Sequence, residues 1–362
     1  MRANLTPSGE RGSKTQSNFP VPVGTPPMEA VQVDALPRGP AWQYEPKWDG
    51  FRCLVFKAGD TVDLRGKSGK SLARFFPDMV AAIRARPEAT FVLDGELVIP
   101  LDGMLSFSAL QDRLHPAASR VEKLARAHPS LLIAFDCLSD GAGVSLLGAP
   151  LSARRERLVR LLRGSNASVR LSPATRDIAE AERWLGGASG PVDGVIAKRV
   201  DEPYAPGERR MQKVKRLRTA DCVVGGFRYG EGTRLVGSLL LGLYNDAGVL
   251  DHVGFTSALS DKEKPDLTRR LEKLVKPPGF TGRAPGGPSR WSTERSGEWV
   301  PLAPKLVVEV RYDHVTDARF RHGTKLVRWR PDKAPPQCTF EQLEMALMPP
   351  PFVADLLQTG VP

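Results

Sequence analysis

The segment EPKWDGFR, residues 45–52, says more about the architecture of this 362-residue chain than any other. Its K-x-D-G core is a weak signal alone, since three fixed residues recur by chance in roughly one in twenty chains of this length. Asp49-Gly50 also favours an ordinary β-turn that leaves the preceding lysine, Lys47, in solvent. The segment therefore gains its meaning only together with residues further along the chain.

The first 216 residues predict a mixture of strands and helices. Phe91–Ile99 alternates apolar residues with others, which is the period of a strand. Leu131–Leu138 is a short apolar run suited to a central strand. Between such runs, Phe76, Met79 and Ile83 recur at the spacing of an apolar helix face.

After about residue 216 the sequence changes to a series of short strands. The runs are Cys222–Phe227, Leu235–Tyr244, Val249–Thr256, Lys305–Tyr312 and Leu326–Arg330. One helical pattern, Leu267–Val275, lies among them, and the Pro/Gly-rich stretch 277–288 predicts an exposed loop. Strands in this number with a single helix are typical of an OB-type barrel.

The composition favours a polyanionic partner. Lys and Arg together number 52 against 41 Asp and Glu, a net charge of +11, and cations that neutralise phosphates release condensed counterions. An Arg-rich proteome would give the same excess, so charge alone leaves the partner open. The four cysteines form no C-x-x-C pair, which indicates a reduced, cytoplasmic setting. Residues 1–25 are polar and predict a mobile arm, and we find no apolar run long enough to span a membrane.

Five further segments accompany EPKWDGFR in a fixed order. They are LDGE (93–96), FD (135–136), DGVIAK (193–198), KVK (213–215) and RWRPDK (328–333). With this order and spacing the chain resembles the covalent nucleotidyltransferases, and most closely the ATP-dependent DNA ligases, over about residues 25–345. Within that family it is similar to the small bacterial two-domain type, sometimes called ligase C, and to the ligase module of end-joining ligases.

The resemblance implies an α+β fold in four parts. A flexible arm (1–25) precedes an adenylation (nucleotidyltransferase) domain with mixed sheets and flanking helices (26–216). An OB-fold β-barrel domain (217–348) and a C-terminal tail (349–362) complete the chain, with a hinge near Arg216. The implied activity is ATP-dependent sealing of 5′-phosphate/3′-hydroxyl nicks in duplex DNA, in DNA repair, by a monomer associated with the nucleoid.

By this resemblance Lys47 is the catalytic nucleophile. A neutral lysine amine that attacks the α-phosphorus of ATP forms a phosphoramidate, which remains reactive enough to pass AMP on. A free lysine, with a pKa of ~10.4, is almost wholly protonated at neutral pH. Nearby cations, namely a metal ion, Lys213 and Lys215, would favour the neutral amine and screen the phosphate charge.

The resemblance also implies the other nucleotide-binding residues. Glu45 helps fix adenine, Phe135 stacks on it, Arg52 contacts ribose or phosphate, and Glu96 binds the ribose hydroxyls. Each has a plainer interpretation from pattern alone: Phe135 as a core aromatic, Arg52 as a surface strand arginine, Glu96 as an exposed turn carboxylate. Arg65 lies in a segment that holds ribose and DNA, although Leu64 stands where relatives have serine.

Asp193 and Glu96 are the expected ligands of Mg²⁺ or Mn²⁺, because hard carboxylate oxygens suit these ions. Many relatives have glutamate where this chain has Asp193, so contact through water is expected. Lys213 and Lys215, two apart on a strand, share a face. Two like charges on one face favour an anion bound between them, and phosphate is the expected ligand.

Most of the remaining expected residues lie in the C-terminal domain. Arg330, Asp332 and Lys333 match the family's last motif and reach the pyrophosphate only if the barrel domain swings over the nucleotide. Arg65, Arg319 and Arg321 are the expected contacts to the DNA backbone, which carries no base information.

Three alternatives share part of this pattern. A GTP-using capping-type nucleotidyltransferase has the same lysine motif and barrel, and labelling by GTP would select it. An RNA ligase shares the first domain, and nicked RNA against nicked DNA would separate the two. A non-catalytic OB-type nucleic-acid binder would bind DNA without forming any adenylate. An NAD-dependent enzyme is disfavoured, since no four-cysteine zinc module is present.

Overall fold

The structure is a computed structural model, and it describes residues 19–163, 168–188, 192–286, 298–316, 318–343 and 350–358. The expected arm at residues 1–18 lies outside these ranges. Of residues 19–25, which were expected to be mobile as well, Val21 is fully buried and the Phe19 ring lies 5.6 Å from that of Phe56, whereas residues 22–24 are exposed. Of the helices in the described ranges, none combines the length and the apolar character that a membrane span requires.

The first part of the chain contains two sheets flanked by helices. Its strands are β1 (Ala30–Gln32), β2 (Trp42–Trp48), β3 (Phe51–Ala58), β4 (Thr61–Gly66), β5 (Thr90–Val98), β6 (Pro100–Leu101), β7 (Met104–Leu105), β8 (Leu131–Ser139), β9 (Val169–Leu171), β10 (Val192–Arg199) and β11 (Met211–Lys215). Its helices are α1 (Pro77–Arg84), α2 (Phe107–Arg113), α3 (Ala118–Ala127), α4 (Leu151–Leu162) and α5 (Ile178–Gly187).

The two sheets separate the chemistry-bearing segments into two groups. One sheet has the order β1-β11-β10-β2 and carries EPKWDG, DGVIAK and KVK; the other has the order β4-β3-β5-β8-β9 and carries LDGE and FD. The β1–β11 and β8–β9 pairs are parallel, and the other described pairs of these two sheets are antiparallel. Helices α1 and α4 pack apolar faces on the second sheet, where Met79, Ile83 and Leu158 are fully buried. The crevice between the sheets is therefore where the segments meet.

The second part is built around one antiparallel sheet. Its elements are β12 (Arg218–Tyr229), β13 (Val236–Tyr244), β14 (Leu250–Thr256), α6 (Lys264–Glu272), β15 (Val300–Pro301), β16 (Val307–Tyr312), β17 (Val315–Thr316), β18 (Arg319–Phe320) and β19 (Lys325–Trp329). Helix α7 (Pro351–Gln358) follows them in the chain. The sheet has the order β14-β13-β12-β16-β19, with β15 paired to β12, while β17 and β18 form a separate hairpin.

The predicted OB-type domain is confirmed in its strands and in the inserted helix α6, but over the described ranges its ladder stays open. In the described residues, β14 and the segment before β19 meet only at the isolated pair Thr256–Thr324. A core of apolar side chains from β12, β13, β14 and β16 fills the interior. The Pro/Gly-rich loop forms no regular element over residues 277–286, and its last two residues lie outside the described ranges.

Candidate active site

Lys47 lies at the crevice because of strand pairing. It is on β2 directly opposite Gly194 of β10, which brings its ammonium Nζ to 2.8 Å from Oδ1 of Asp193. Gly194 in turn pairs with Lys215 of β11. A Cβ at position 194 would lie 2.1 Å from the carbonyl oxygen of Val214, so only glycine lets the three strands approach this closely.

Asp193 forms ion pairs with lysines of both neighbouring strands. Its Oδ2 lies 3.3 Å from Nζ of Lys215, which also forms a 2.8 Å ion pair with Asp313 of the second domain. Lys213 faces the cavity, and its pKa is lowered by burial, with Lys47 and Lys215 adding to the effect. Lys215 is thus paired with two carboxylates, whereas Lys213 lines the cavity.

The opposite wall is held by a buried ion pair. Arg52 on β3 forms a bidentate ion pair with Asp94 on β5, in which Nε donates to Oδ1 and Nη2 donates to Oδ2, each at 2.6 Å. Asp94 also accepts a 2.6 Å hydrogen bond from the Tyr204 hydroxyl. Glu96, two residues further along β5, accepts a hydrogen bond from the backbone N–H of Gly50 at 3.1 Å. Burial raises the pKa of Glu96 to about 8, although Arg52 and Lys47 act in the opposite direction.

Between these walls lies a cavity of about 240 Å³. It brings together five of the residues expected at the nucleotide with Lys47: Glu45, Arg52, Glu96, Phe135 and Lys213. Apolar side chains of Met28, Ile196 and Met211 line it as well, and so does the ammonium of Lys67. A cavity lined by both apolar side chains and cations suits a base joined to phosphates.

Lys198 is a cavity residue that sequence reasoning missed. Its Nζ donates to Glu45 Oε2 at 2.7 Å and to the Phe135 carbonyl at 3.3 Å, and it lies 4.6 Å from the centroid of the Phe135 ring. Glu45 is also buried, and its other oxygen accepts from Gln43. The sequence did carry evidence that Lys198 faces the cavity. Lys198 and the cavity residue Ile196 are two apart on β10, so their side chains share a face of the sheet.

Asp49, the acid of the K-x-D-G core, is engaged by the second domain. Nη1 of Arg321 lies 2.6 Å from both of its carboxylate oxygens, and Nε2 of His314 lies 3.1 Å from Oδ2. The Arg321 guanidinium also lies over the Phe107 ring at 3.3 Å from its centroid. Burial lowers the pKa of His314. These contacts place the β17–β18 hairpin region of the second domain at the entrance of the site.

Other expected site residues lie elsewhere in this arrangement. Arg65 pairs with Asp63 at 2.6 Å and does not line the cavity. Arg330 and Lys333 each contact Asp221 of their own domain at 2.8 Å, and Arg330 also pairs with Asp332. Neither Arg330 nor Lys333 lines the cavity in this domain arrangement, and both are paired with Asp221 instead.

Two carboxylates in the site have properties suited to a divalent cation. Oδ1 of Asp193 is buried and has no aligned hydrogen-bond donor among the described residues, even with Lys47 at 2.8 Å. Glu96 lines the cavity beside Lys47, and its Oε1 accepts the hydrogen bond from the Gly50 N–H. Within the described part of the chain there is no group of three or more His, Cys, Asp or Glu side chains placed to hold a metal. The donor set fits Mg²⁺ bound by one or two carboxylates together with substrate phosphates and water.

Comparison with known proteins identifies the family to which this architecture belongs. Residues 27–215 match the ATP dependent DNA ligase domain, and residues 232–333 match the ATP dependent DNA ligase C terminal region. The chain belongs to the ATP-dependent DNA ligases, so the DNA ligase interpretation is confirmed over the RNA ligase, capping-type and non-catalytic alternatives.

The relatives resolve the type within that family. The chain is 44% identical over 347 residues to DNA ligase C of Mycobacterium tuberculosis (strain ATCC 25618 / H37Rv), covering 91% of this chain and 96% of the relative. It is 43% identical to DNA ligase C2 of Mycolicibacterium smegmatis (strain ATCC 700084 / mc(2)155), covering 90% and 96%. A solved structure from an analysis of Lig E DNA ligases superposes with a TM-score of 0.52 at 18% identity, covering 84% of this chain and 99% of that one, and supports the fold.

Proposed function

We propose that Lys47 is the nucleophile of this ATP-dependent DNA ligase and that its reaction has three steps. The Lys47 Nζ attacks the α-phosphorus of ATP, a P–N bond forms, and pyrophosphate leaves. AMP then passes to the 5′-phosphate at a nick, which restores the lysine and makes an activated anhydride. The 3′-hydroxyl attacks that phosphate, AMP leaves, and the backbone is sealed.

The observation that carries this proposal is the position of Lys47 in the cavity. Its ammonium lies between Asp193 and the wall that carries Glu96, and its side chain is 22% exposed. Lys67 and Lys213 line the same cavity and are suited to the triphosphate charge. Positioning of this kind, together with fixed cations, supplies most of the catalysis in phosphoryl transfer.

Asp193 and Glu96 would hold Mg²⁺ or Mn²⁺ in this proposal. The bound ion would screen phosphate oxygens and favour departure of pyrophosphate. Asp193 would exchange its contact with Lys47 for the ion, which frees the amine to lose its proton. Glu45, Lys198 and the apolar residues of the cavity would meet the base, and Arg52 the ribose.

Lys47→Ala tests the nucleophile directly. Purified enzyme incubated with α-labelled ATP and Mg²⁺ is expected to acquire label that survives denaturation, and the variant to acquire none. Lys305→Ala, which removes an exposed lysine of the second domain, serves as the control and should label normally. GTP and NAD⁺ run in parallel should leave the enzyme unlabelled. A Lys47→Ala enzyme that labels at the rate of the control would refute the assignment.

We also propose that the second domain works in two orientations. In one, Arg330, Asp332 and Lys333 face the pyrophosphate during attack on ATP. In the other, Arg321 binds Asp49 and the domain faces DNA. The hinge near Arg216 lies between β11 and β12, where the chain passes from one sheet to the next. We propose in addition that the enzyme acts as a monomer on nicked duplex DNA in the cytoplasm.

The half-buried Arg319 supports a DNA-facing surface on this domain. Its Nη2 lies 3.1 Å from Nδ1 of His252, and burial lowers the pKa of Arg319, with Arg283 adding to the effect. No described carboxylate forms an ion pair with Arg319, so a backbone phosphate is its natural partner.

Arg319→Ala should lower the slope of log affinity against log salt by about 0.9, the value for one lost phosphate contact. Fluorescence anisotropy with nicked duplex between low and moderate salt measures it, with Arg269→Ala, an exposed arginine on α6, as the control. An unchanged slope for Arg319→Ala would remove this residue from the DNA surface.

A further inference from the structure

The C-terminal helix α7 lies against the adenylation domain, although it follows the second domain in sequence. The Phe352 ring lies 6.0 Å from that of Trp48 in an edge-on contact and 5.8 Å from that of Trp184. Val353 is fully buried, and the carbonyl of Leu356 accepts a 3.3 Å hydrogen bond from Nε of Arg170. The chain therefore returns to its first domain at its end.

Helix α7 docks directly behind the nucleotide cavity. Trp48, which Phe352 contacts, stands between Lys47 and Asp49 in the sequence. One apolar cluster contains Trp48, Phe135 and Val353, so the same packing unit that holds the helix also holds a wall of the cavity. On its polar edge Trp48 is fixed by a 2.9 Å hydrogen bond from Nε1 to the Ser172 hydroxyl.

Trp48 is 5% exposed and packs in one cluster with Ile133, Val192 and Val353. The Ser172 hydrogen bond fixes the Nε1 end of the indole, and the edge-on contact with Phe352 adds an aromatic pair on the side of α7. Trp48 is joined by one peptide bond to Lys47 on one side and to Asp49 on the other, so a shift of its backbone moves both residues.

We propose that α7 is a positioning element for the nucleophile, and that Phe352 and Val353 hold Trp48 so that Lys47 keeps its place in the cavity. The inference rests on the proposed role of Lys47. Phe352 touches no reacting atom, and it acts only through Trp48. Nucleophile placement is sensitive to small shifts, since a displacement of about 1 Å can cost roughly 10²-fold in rate.

The test separates positioning from simple stabilisation. Full-length enzyme, Phe352→Ala and Phe352→Leu are mixed with α-labelled ATP and Mg²⁺, and both the rate constant and the final amplitude of lysyl-AMP formation are measured. For Phe352→Ala we expect the rate constant to fall about tenfold at saturating ATP. This is less than the roughly 10²-fold loss that a displacement of about 1 Å can cause. The amplitude and the ATP concentration at half-maximal rate should stay close to wild type. Phe352→Leu, which refills most of the volume, should recover most of the rate.

The neighbouring Pro351→Ala, at an exposed position on the same helix, is the matched control and should behave as wild type. If Phe352→Ala reduces only the amplitude, α7 merely keeps molecules folded and the proposal is overturned. A rate constant equal to that of the control overturns it as well. If wild-type enzyme takes up no AMP at all, the nucleophile assignment itself fails, an outcome distinct from both.

Discussion

Replacing Arg321 by alanine should release the second domain from the active-site entrance. In the structure, Nη1 of Arg321 lies 2.6 Å from each carboxylate oxygen of Asp49, and the two side chains are 22% and 13% exposed. Truncating one partner of a buried, hydrogen-bonded charge pair costs about 2–5 kcal/mol, and partial exposure puts this pair at the lower end. A loss of about 2 kcal/mol corresponds to roughly a 30-fold shift in an equilibrium constant.

The shift can be measured as a change in the ratio of two populations. In docked molecules Arg321 contacts Asp49, and in open molecules the second domain has moved away from Asp49. The four native cysteines are all buried, so dyes can be placed on cysteines introduced at Val144 in the first domain and Val275 in the second, which are 56% and 47% exposed. Single-molecule energy transfer then counts both populations. Arg321→Ala should lower the docked-to-open ratio about 30-fold.

Arg38→Ala provides the control, because the Arg38–Glu182 pair is 71% and 49% exposed and lies within one domain. Exposed pairs contribute about 0–1 kcal/mol, and this one does not join the domains. A docked-to-open ratio for Arg321→Ala within about twofold of that of Arg38→Ala would refute the reasoning. It would mean that other contacts, such as Lys215–Asp313, set the domain arrangement.

The remaining predictions concern stability. His252 is buried, and burial, with Arg319 and Arg228 adding to it, lowers its pKa from 6.5 to about 3. Below pH 6.5 the unfolded chain therefore binds a proton at His252 that the folded chain does not bind. Because of this difference, the free energy of unfolding should fall by about 2 kcal/mol from pH 7 to pH 5. Urea unfolding of wild type and His252→Gln checks this, and equal pH slopes would contradict it. Gly194→Ala should force β10 and β11 apart and cost about 1–3 kcal/mol; an unchanged melting temperature would show that the strands yield freely.

The sequence predicted the regular elements well where local pattern and packing agree. The alternating run Phe91–Ile99 is β5, shifted by one residue, and the apolar run Leu131–Leu138 is β8. The helix expected at Leu267–Val275 begins at Lys264 and ends at Glu272 instead. Pro265 explains the early start, since proline suits the first helical turn, where its missing N–H is not needed.

The site was predictable as far as strand neighbours determine it. Lys47, Asp193 and Lys215 lie on three adjacent strands of one sheet, so their meeting follows from pairing once the strands are known. The ion pairs Arg330–Asp221 and Arg321–Asp49 could not be predicted. Each joins residues more than a hundred positions apart and depends on loop paths or on the angle between domains, neither of which leaves a periodic trace in the sequence.

The docking of α7 also limits how the second domain can turn. Six residues separate Leu343 from Pro350, and this length of chain reaches at most roughly 25 Å. While α7 stays in place, the domain is joined to its partner at two points, near Arg216 and at its far end. The first connection is the short link between β11 and β12, and the second limits the distance between Leu343 and Pro350. The exchange between the ATP-facing and DNA-facing orientations is then confined to rotations that keep these two residues within roughly 25 Å of each other.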